Sequence, residues 1–100
     1  MSKDELGFIG LLYRGHQALI GKEIKTAFAG ISLLVIASDA SPRIAEEFVE
    51  RAAKRGIPVL RDITKADLGS ALGRSEVSCL AITTKKASES LLAKRKGNAI

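Results

Sequence analysis

The sequence predicts a three-layer α/β/α sandwich around a four-stranded mixed, mostly parallel sheet. Three observations carry this reading. Helix-like and strand-like segments alternate along the chain in the order α-β-α-β-α-β-α-β-α, the pattern of sheets covered by helices on both faces. Two segments, 31–37 and 77–83, are apolar on both sides of the pleat with little polar interruption, as central strands buried on both faces must be. The chain has 100 residues with no Gly/Ser-rich linker and no internal repeat, which suits a single domain. That domain is expected to span residues 1–93, with a charged, flexible tail at 94–100.

Each element has a local cause. Ser2 and Glu5 have capping-box spacing, and Leu6, Ile9, Leu12 and Tyr13 follow at helical intervals until Gly15. Residues 18–20 form a short apolar strand, broken by Gly21. A second helix is expected over 22–29, closed by Gly30. Ser41 followed by Pro42 is a strong helix start, with Ser as N-cap and Pro in the first turn. That helix should run to about Lys54 and bury Ile44, Ala45, Phe48, Val49 and Ala52. Glu47 with Arg51, and Glu50 with Lys54, stand four residues apart in the favourable order. Gly56 ends the helix, and 57–60 is a strand placed near an edge because Pro58 has no amide to donate. Thr64 can cap a short helix ending near Gly73. A last helix opens at Thr84 and continues through Leu91 and Leu92.

Composition narrows the chemistry. Hydrophobic residues make up 46% of the chain, enough for a real core rather than a disordered chain. Sixteen Lys and Arg stand against 11 Asp and Glu, a formal charge of +5 with a pI near 9.7; a polyanionic partner fits that balance. Four aromatic residues and no Trp leave few platforms for stacking single-stranded bases. One cysteine, Cys79, allows no intramolecular disulfide and no four-cysteine zinc site. With a single histidine, His16, His-based catalysis or metal binding has little to work with. No apolar run approaches the roughly 18 residues that span a bilayer, and Met1 to Glu5 lack the architecture of a signal peptide. The expectation is a soluble, cytoplasmic protein without cofactor, membrane association or small-molecule substrate.

No catalytic constellation assembles from the sequence. Five residues separate Gly15 from Gly21 where a phosphate loop needs four, and Glu23 stands where its Ser or Thr would hold the metal. Gly69 and Gly73 do not follow a strand in the order that a dinucleotide fingerprint requires. Glu46, Glu47 and Glu50 share an amphipathic helix with Arg51 and Lys54 and read as a solvated face. Cys79 lies inside an apolar strand and reads as core. Asp39 follows a buried strand, where α/β enzymes often place a catalytic carboxylate, but no His, Lys or second carboxylate accompanies it. Accepting amides in the turn before Ser41 and Pro42 is its expected role. His16 is expected in the turn after the first helix.

Basic residues do gather beside helix starts. Arg14, Lys22 and Lys25 flank the second helix, and Lys65 and Arg74 flank the short helix after Thr64. Free amides and the positive end of the helix dipole suit phosphate oxygens there. Both helices follow strands, so both can share one rim of the sandwich.

The segments Gly30-Ile31-Ser32, Ala37-Ser38-Asp39-Ala40-Ser41-Pro42, Gly56-Ile57-Pro58-Val59 and Thr64-Lys65-Ala66-Asp67-Leu68-Gly69-Ser70-Ala71-Leu72-Gly73 together resemble the ribosomal protein L7Ae family of kink-turn RNA-binding proteins. The opening Phe8-Ile9-Gly10-Leu11-Leu12-Tyr13-Arg14-Gly15 is similar to small bacterial members associated with ribosomes. The resemblance covers about residues 6 to 92 and implies the sandwich already read from the pattern. It also implies a non-catalytic ribonucleoprotein component that binds structured RNA, of the kink-turn or ribosomal kind.

The family's main contact segment, Gly-x-Asn-Glu-x-x-Lys, opens the second helix. Counted back from Gly30, its asparagine, glutamate and lysine fall on Gly21, Lys22 and Lys25. Counted forward from the first helix, its glycine and acidic position fall on Gly21 and Glu23. Under either count this chain has no asparagine there, and Gly and Lys in place of base-reading side chains trade edge readout for phosphate contact. Lys65 matches a family basic contact, and Arg74 with Ser75 matches the loop that packs against splayed bases. The implied RNA-binding residues are therefore Gly21, Lys22, Glu23, Lys25, Lys65, Arg74 and Ser75. The alternative is a protein-interaction module on the same fold with little specific RNA affinity; an enzyme using Asp39 is a distant third.

Overall fold

The computed structural model describes the backbone of residues 2–98 and the side chains of residues 2–94. The elements are α1 (Lys3–Arg14), β1 (Ala18–Ile20), α2 (Lys22–Thr26), β2 (Leu33–Ile36), α3 (Pro42–Arg55), β3 (Val59–Leu60), α4 (Lys65–Ala71), β4 (Cys79–Ile82) and α5 (Lys85–Asn98). The caps are those the sequence encodes. The Ser2 hydroxyl accepts the Glu5 amide and the Glu5 carboxylate accepts the Ser2 amide, closing the capping box. Ser41 accepts from Ile44 at the head of α3, and Thr64 from Asp67 at the head of α4. Gly56 ends α3 in the left-handed conformation, which a residue without Cβ adopts at no steric cost.

The sheet order is β1-β4-β2-β3. β2 and β3 pair in parallel through the α3 crossover, while β4 is antiparallel to both β1 and β2. The expectation of a mostly parallel sheet is corrected here: one of the three pairings is parallel. β1, β2 and β3 do point the same way, but β4 inserts between β1 and β2 with the opposite sense. Which strand inserts is a matter of long-range packing that local pattern does not encode.

The two apolar faces of β2 and β4 sort the core. Leu33, Val35, Leu80 and Ile82 face α1, α4 and α5, meeting Ile9, Leu12, Leu68 and Leu91. Leu34, Ile36, Cys79 and Ala81 face α2 and α3, meeting Ile24, Phe28, Phe48 and Ala52. Helices therefore cover both faces, as the absence of polar alternation in these strands requires. Each large side chain so buried is worth about 1.5–3 kcal/mol of transfer free energy.

Four further details differ from expectation. Val49 is 38% exposed rather than buried, because it lies on the outer side of the Ala45, Phe48 and Ala52 stripe of α3. The helix expected over 22–29 stops at Thr26, and a single 3-10 turn, Phe28–Gly30, completes the segment. The tighter turn places the Phe28 ring in the core, stacked on Phe48 with centroids 6.1 Å apart. Glu47 does not take Arg51 as its partner; it pairs with Lys25, while Glu50 and Lys54 do pair, at 3.5 Å. Finally, α5 runs to Asn98, so the backbone of 94–98 is helical where a frayed tail was expected. The run Ala-Lys-Arg-Lys consists of strong helix formers. Residues 99 and 100 lie outside the described residues. No helix among the described residues is long and apolar enough to cross a membrane.

Candidate nucleic-acid interface

Strand direction decides what meets at the sheet's end. Because β1, β2 and β3 run one way and β4 the other, the carboxyl ends of the first three lie beside the amino end of β4. Ile20 pairs with Leu80 and Ile36 with Cys79 at that end. The segments joining β1 to α2, β2 to α3 and β3 to α4, with 73–78 before β4, therefore converge on one rim. The shared rim expected for α2 and α4 is present, and α3 starts there too.

A groove of about 450 Å³ opens at this rim. Gly21, Lys22, Lys25 and Arg74 line it, together with Glu47 and Glu76, above an apolar floor that includes Ile20, Ile44, Phe48, Val77 and Cys79. Four of the seven residues implied by the resemblance thus border one concavity. Glu23 lies with Arg14, Tyr13 and Arg74 along a second groove of about 430 Å³ beside β1, an edge strand. Lys65 and Ser75 belong to the same rim but stand outside the main groove. Lys65 is half-buried at the first position of α4, and Ser75 is exposed in the loop before β4.

Backbone geometry holds these residues in place. Gly21 has φ 64° and ψ −138°, a region essentially reserved for glycine. A Cβ built on it would meet nothing within 4 Å, so its glycine is demanded by conformation, and the space above the peptide stays open. Gly69 answers the opposite need. A Cβ there would lie 2.8 Å from backbone atoms of Ser75 and Glu76, so α4 packs directly on the loop before β4. The Arg74 amide donates to the Gly69 carbonyl at 2.8 Å and the Val77 amide to the Lys65 carbonyl at 3.1 Å. The Arg74 guanidinium donates through Nε to the Tyr13 hydroxyl at 3.3 Å.

Asp39 carries a structural role different from the one expected. Its Oδ1 accepts the backbone amide of Lys65 at 2.8 Å, capping α4 from across the rim rather than serving its own turn. The Ser38 amide donates to the Ile63 carbonyl beside it at 2.7 Å. Loops 37–41 and 63–65 are thereby joined, and neither the sequence separation nor any motif announces the link. The sequence reading also passed over Tyr13, whose helical spacing reads as core, and Arg61, whose charge reaches Cys79 from the loop after β3.

The electrostatics separate cations from inert groups. Lys25 Nζ lies 3.6 Å from Glu47 Oε1, with both side chains substantially exposed. Cys79 is buried, and burial pushes its thiol up to about 11 against the opposing pull of Arg61; it is core rather than nucleophile, as expected. Glu46 and Glu50 are exposed, as the solvated-face reading requires. His16 sits in the turn after α1 at φ 61°. Among the described residues no group of three His, Cys, Asp or Glu side chains is placed to hold a metal ion.

The helix-dipole argument applies unevenly. α2 has five residues and α4 seven, so few peptides align behind their starts, and charge at these two sites comes mainly from side chains. α3, with 14 residues, presents the longest dipole to the rim, with Arg43 in its first turn.

The α/β/α sandwich thus gathers loops and helix starts at one rim, around a groove lined by Lys22, Lys25 and Arg74 over an apolar floor. The chain belongs to the ribosomal protein L7Ae/L30e/S12e/Gadd45 family, whose model matches residues 13–92. No curated protein matches it in sequence. Among solved structures it is similar to a protein with unknown function from Bacillus halodurans, with TM-score 0.85 and 24% identity, covering 92% of this chain and 96% of that one. It is also similar to the Giardia lamblia 15.5kD RNA binding protein, with TM-score 0.76 and 20% identity, over 98% of this chain and 89% of that one. At these identities the two structures speak to the fold.

Proposed function

We propose that the protein is a non-catalytic binder of structured RNA that engages its ligand through the rim, and that its RNA is kink-turn-like or ribosomal. The observation that carries this is the groove itself. Lys22, Lys25 and Arg74 stand around an apolar floor in a chain of this family. Folded RNA offers phosphates, 2′-hydroxyls and unstacked bases in place of readable duplex edges. The cations suit the phosphates, and the floor of Ile44, Phe48 and Val77 suits the face of an extruded base. Gly21 leaves its backbone open to close approach, while Lys65 and Ser75 extend the contact along the rim. Recognition rests on shape and backbone, since no asparagine stands at the head of α2 to read a base edge. The similar Giardia protein is named as RNA binding, which supports the same direction.

The test is binding to a generic kink-turn RNA at two salt concentrations, with a control whose tandem sheared G·A pairs are replaced by Watson–Crick pairs. Nanomolar binding that is lost in the control is the expected result. Equal, steeply salt-dependent binding to both RNAs reduces the function to backbone attraction by a basic surface. Binding no tighter than the roughly 10⁻⁴–10⁻⁶ M of nonspecific contact sinks the reading and favours the protein-interaction module.

A further inference from the structure

Beyond the rim, a second basic surface lies in the valley between α2 and α3. It forms a groove of about 700 Å³ lined by Lys25, Thr26, Phe28, Ala29, Arg51, Lys54 and Arg55. Four of the seven lining residues are cations and none is acidic. The arrangement follows from helical spacing. Glu47, Arg51 and Arg55 stand four residues apart and form one stripe facing α2, extending about 12 Å along α3 at 1.5 Å per residue. Glu46 lies about 140° around the helix from Arg51 and is turned away from this valley, whereas Glu50, about 100° away, borders it through its ion pair with Lys54. Glu47, the acid on the stripe, is occupied by Lys25.

One cation in the valley, Arg51, is also held in place. The Arg51 guanidinium lies 5.6 Å over the Phe28 ring, and Phe28 is stacked on Phe48 at an interplanar angle of 9°. A planar fork held on a fixed ring loses less freedom on meeting a phosphate than a free lysine does. Neither Arg51 nor Arg55 is ion-paired among the described residues, whereas Lys54 shares its charge with Glu50. Lys25 lines both this groove and the one at the rim, which makes the two surfaces continuous.

We infer that the α2–α3 valley is a second phosphate-binding surface, occupied by the duplex stem that leaves the RNA loop held at the rim. The inference rests on the RNA-binding reading above and adds to it a stem-length requirement. Charge complementarity and continuity through Lys25 select the occupant. An RNA seated at the rim must leave it as paired stems, and a stem passing Lys25 meets Arg51, Lys54 and Arg55 next.

The experiment uses one kink-turn RNA with minimal stems and two versions in which one or the other stem is lengthened by a helical turn. Binding is measured across a salt series for the wild-type chain, for K54Q/R55Q, and for the charge-retaining K54R/R55K. Both side chains are exposed, so the folded state tolerates either pair, and thermal unfolding verifies this. Wild type should show a steeper salt dependence with one lengthened RNA than with the minimal one. K54Q/R55Q should lower that slope by nearly two, about one for each lost phosphate contact. It should leave binding to the minimal RNA unchanged, and K54R/R55K should restore the wild-type slope. Identical slopes for all three RNAs, unaltered by K54Q/R55Q, overturn the inference while leaving the rim intact, and point to an acidic protein as the occupant of the valley. Failure of wild type to bind even the minimal RNA removes the rim reading, and this inference with it.

Discussion

Lys25 stands where both basic surfaces meet, and in the free protein its ammonium lies 3.6 Å from the Glu47 carboxylate. An ion pair this exposed is worth only about 0.2–1 kcal/mol, so a phosphate can replace the carboxylate at small cost. Removing the competitor should therefore help. Glu47→Gln is expected to tighten RNA binding by about two- to five-fold at low salt, and Lys25→Ala to weaken it and lower the salt slope by nearly one. Lys65→Ala should lower the slope by a similar amount, since its side chain extends from the same rim and is not ion-paired among the described residues. Titrations with a fluorescent RNA decide the matter. Affinity that is indifferent to Glu47→Gln would show that Lys25 makes no phosphate contact. The ion pair was not legible in the sequence, because Arg51 stands at the preferred i+4 position from Glu47. Arg51 is instead drawn over Phe28, which frees Glu47 to reach across to α2.

At the scale of elements, local signals and long-range ones fared differently. Ser2, Ser41 and Thr64 cap the helices that their spacing announces, because a cap is settled within four residues. The break in α2 and the insertion of β4 were not legible, because each depends on partners far along the chain: Phe48 for the first, β1 and β2 for the second. Asp39 is the sharpest case. Its carboxylate accepts the amide of Lys65, 26 residues away, and so fixes the start of α4 and the stem of the Lys65 side chain. Asp39→Ala should cost about 1 kcal/mol, lowering Tm by about 4–8 °C, whereas Asp39→Asn, which keeps a carbonyl oxygen at the same place, should recover most of the loss. A variant with alanine that unfolds at the wild-type temperature would mean that the link contributes nothing to stability. Gly69 fixes the other side of the same unit. Gly69→Ala drives a methyl against backbone of Ser75 and Glu76 and should destabilise by about 1–3 kcal/mol. A shift of the loop that carries Arg74 should accompany this, readable as amide chemical-shift changes confined to 74–77.

For the molecule as a whole, Cys79 links the sheet's core to pH. Its side chain is buried in the α2–α3 layer beneath the rim groove, and burial raises its thiol from 9.0 to about 11. Below about pH 8 the thiol is neutral in the folded and unfolded chains alike, so it adds no pH dependence near neutrality. Between about 9 and 11 the unfolded chain releases the proton while the folded chain keeps it, so the folded state binds more protons and stability falls as pH rises. Two units of difference correspond to about 2–3 kcal/mol lost by pH 11. The prediction concerns a difference, because contributions common to two chains that differ only at residue 79 cancel. The stability of the wild-type chain minus that of Cys79→Ala, from urea unfolding at each pH, should be flat up to pH 8 and decline steadily from pH 9 onward. A difference that stays level to pH 10.5 would mean that the folded thiol ionises as readily as the unfolded one. Water would then reach the floor of the groove in the free protein, and the floor would be too wet to favour the face of an extruded base.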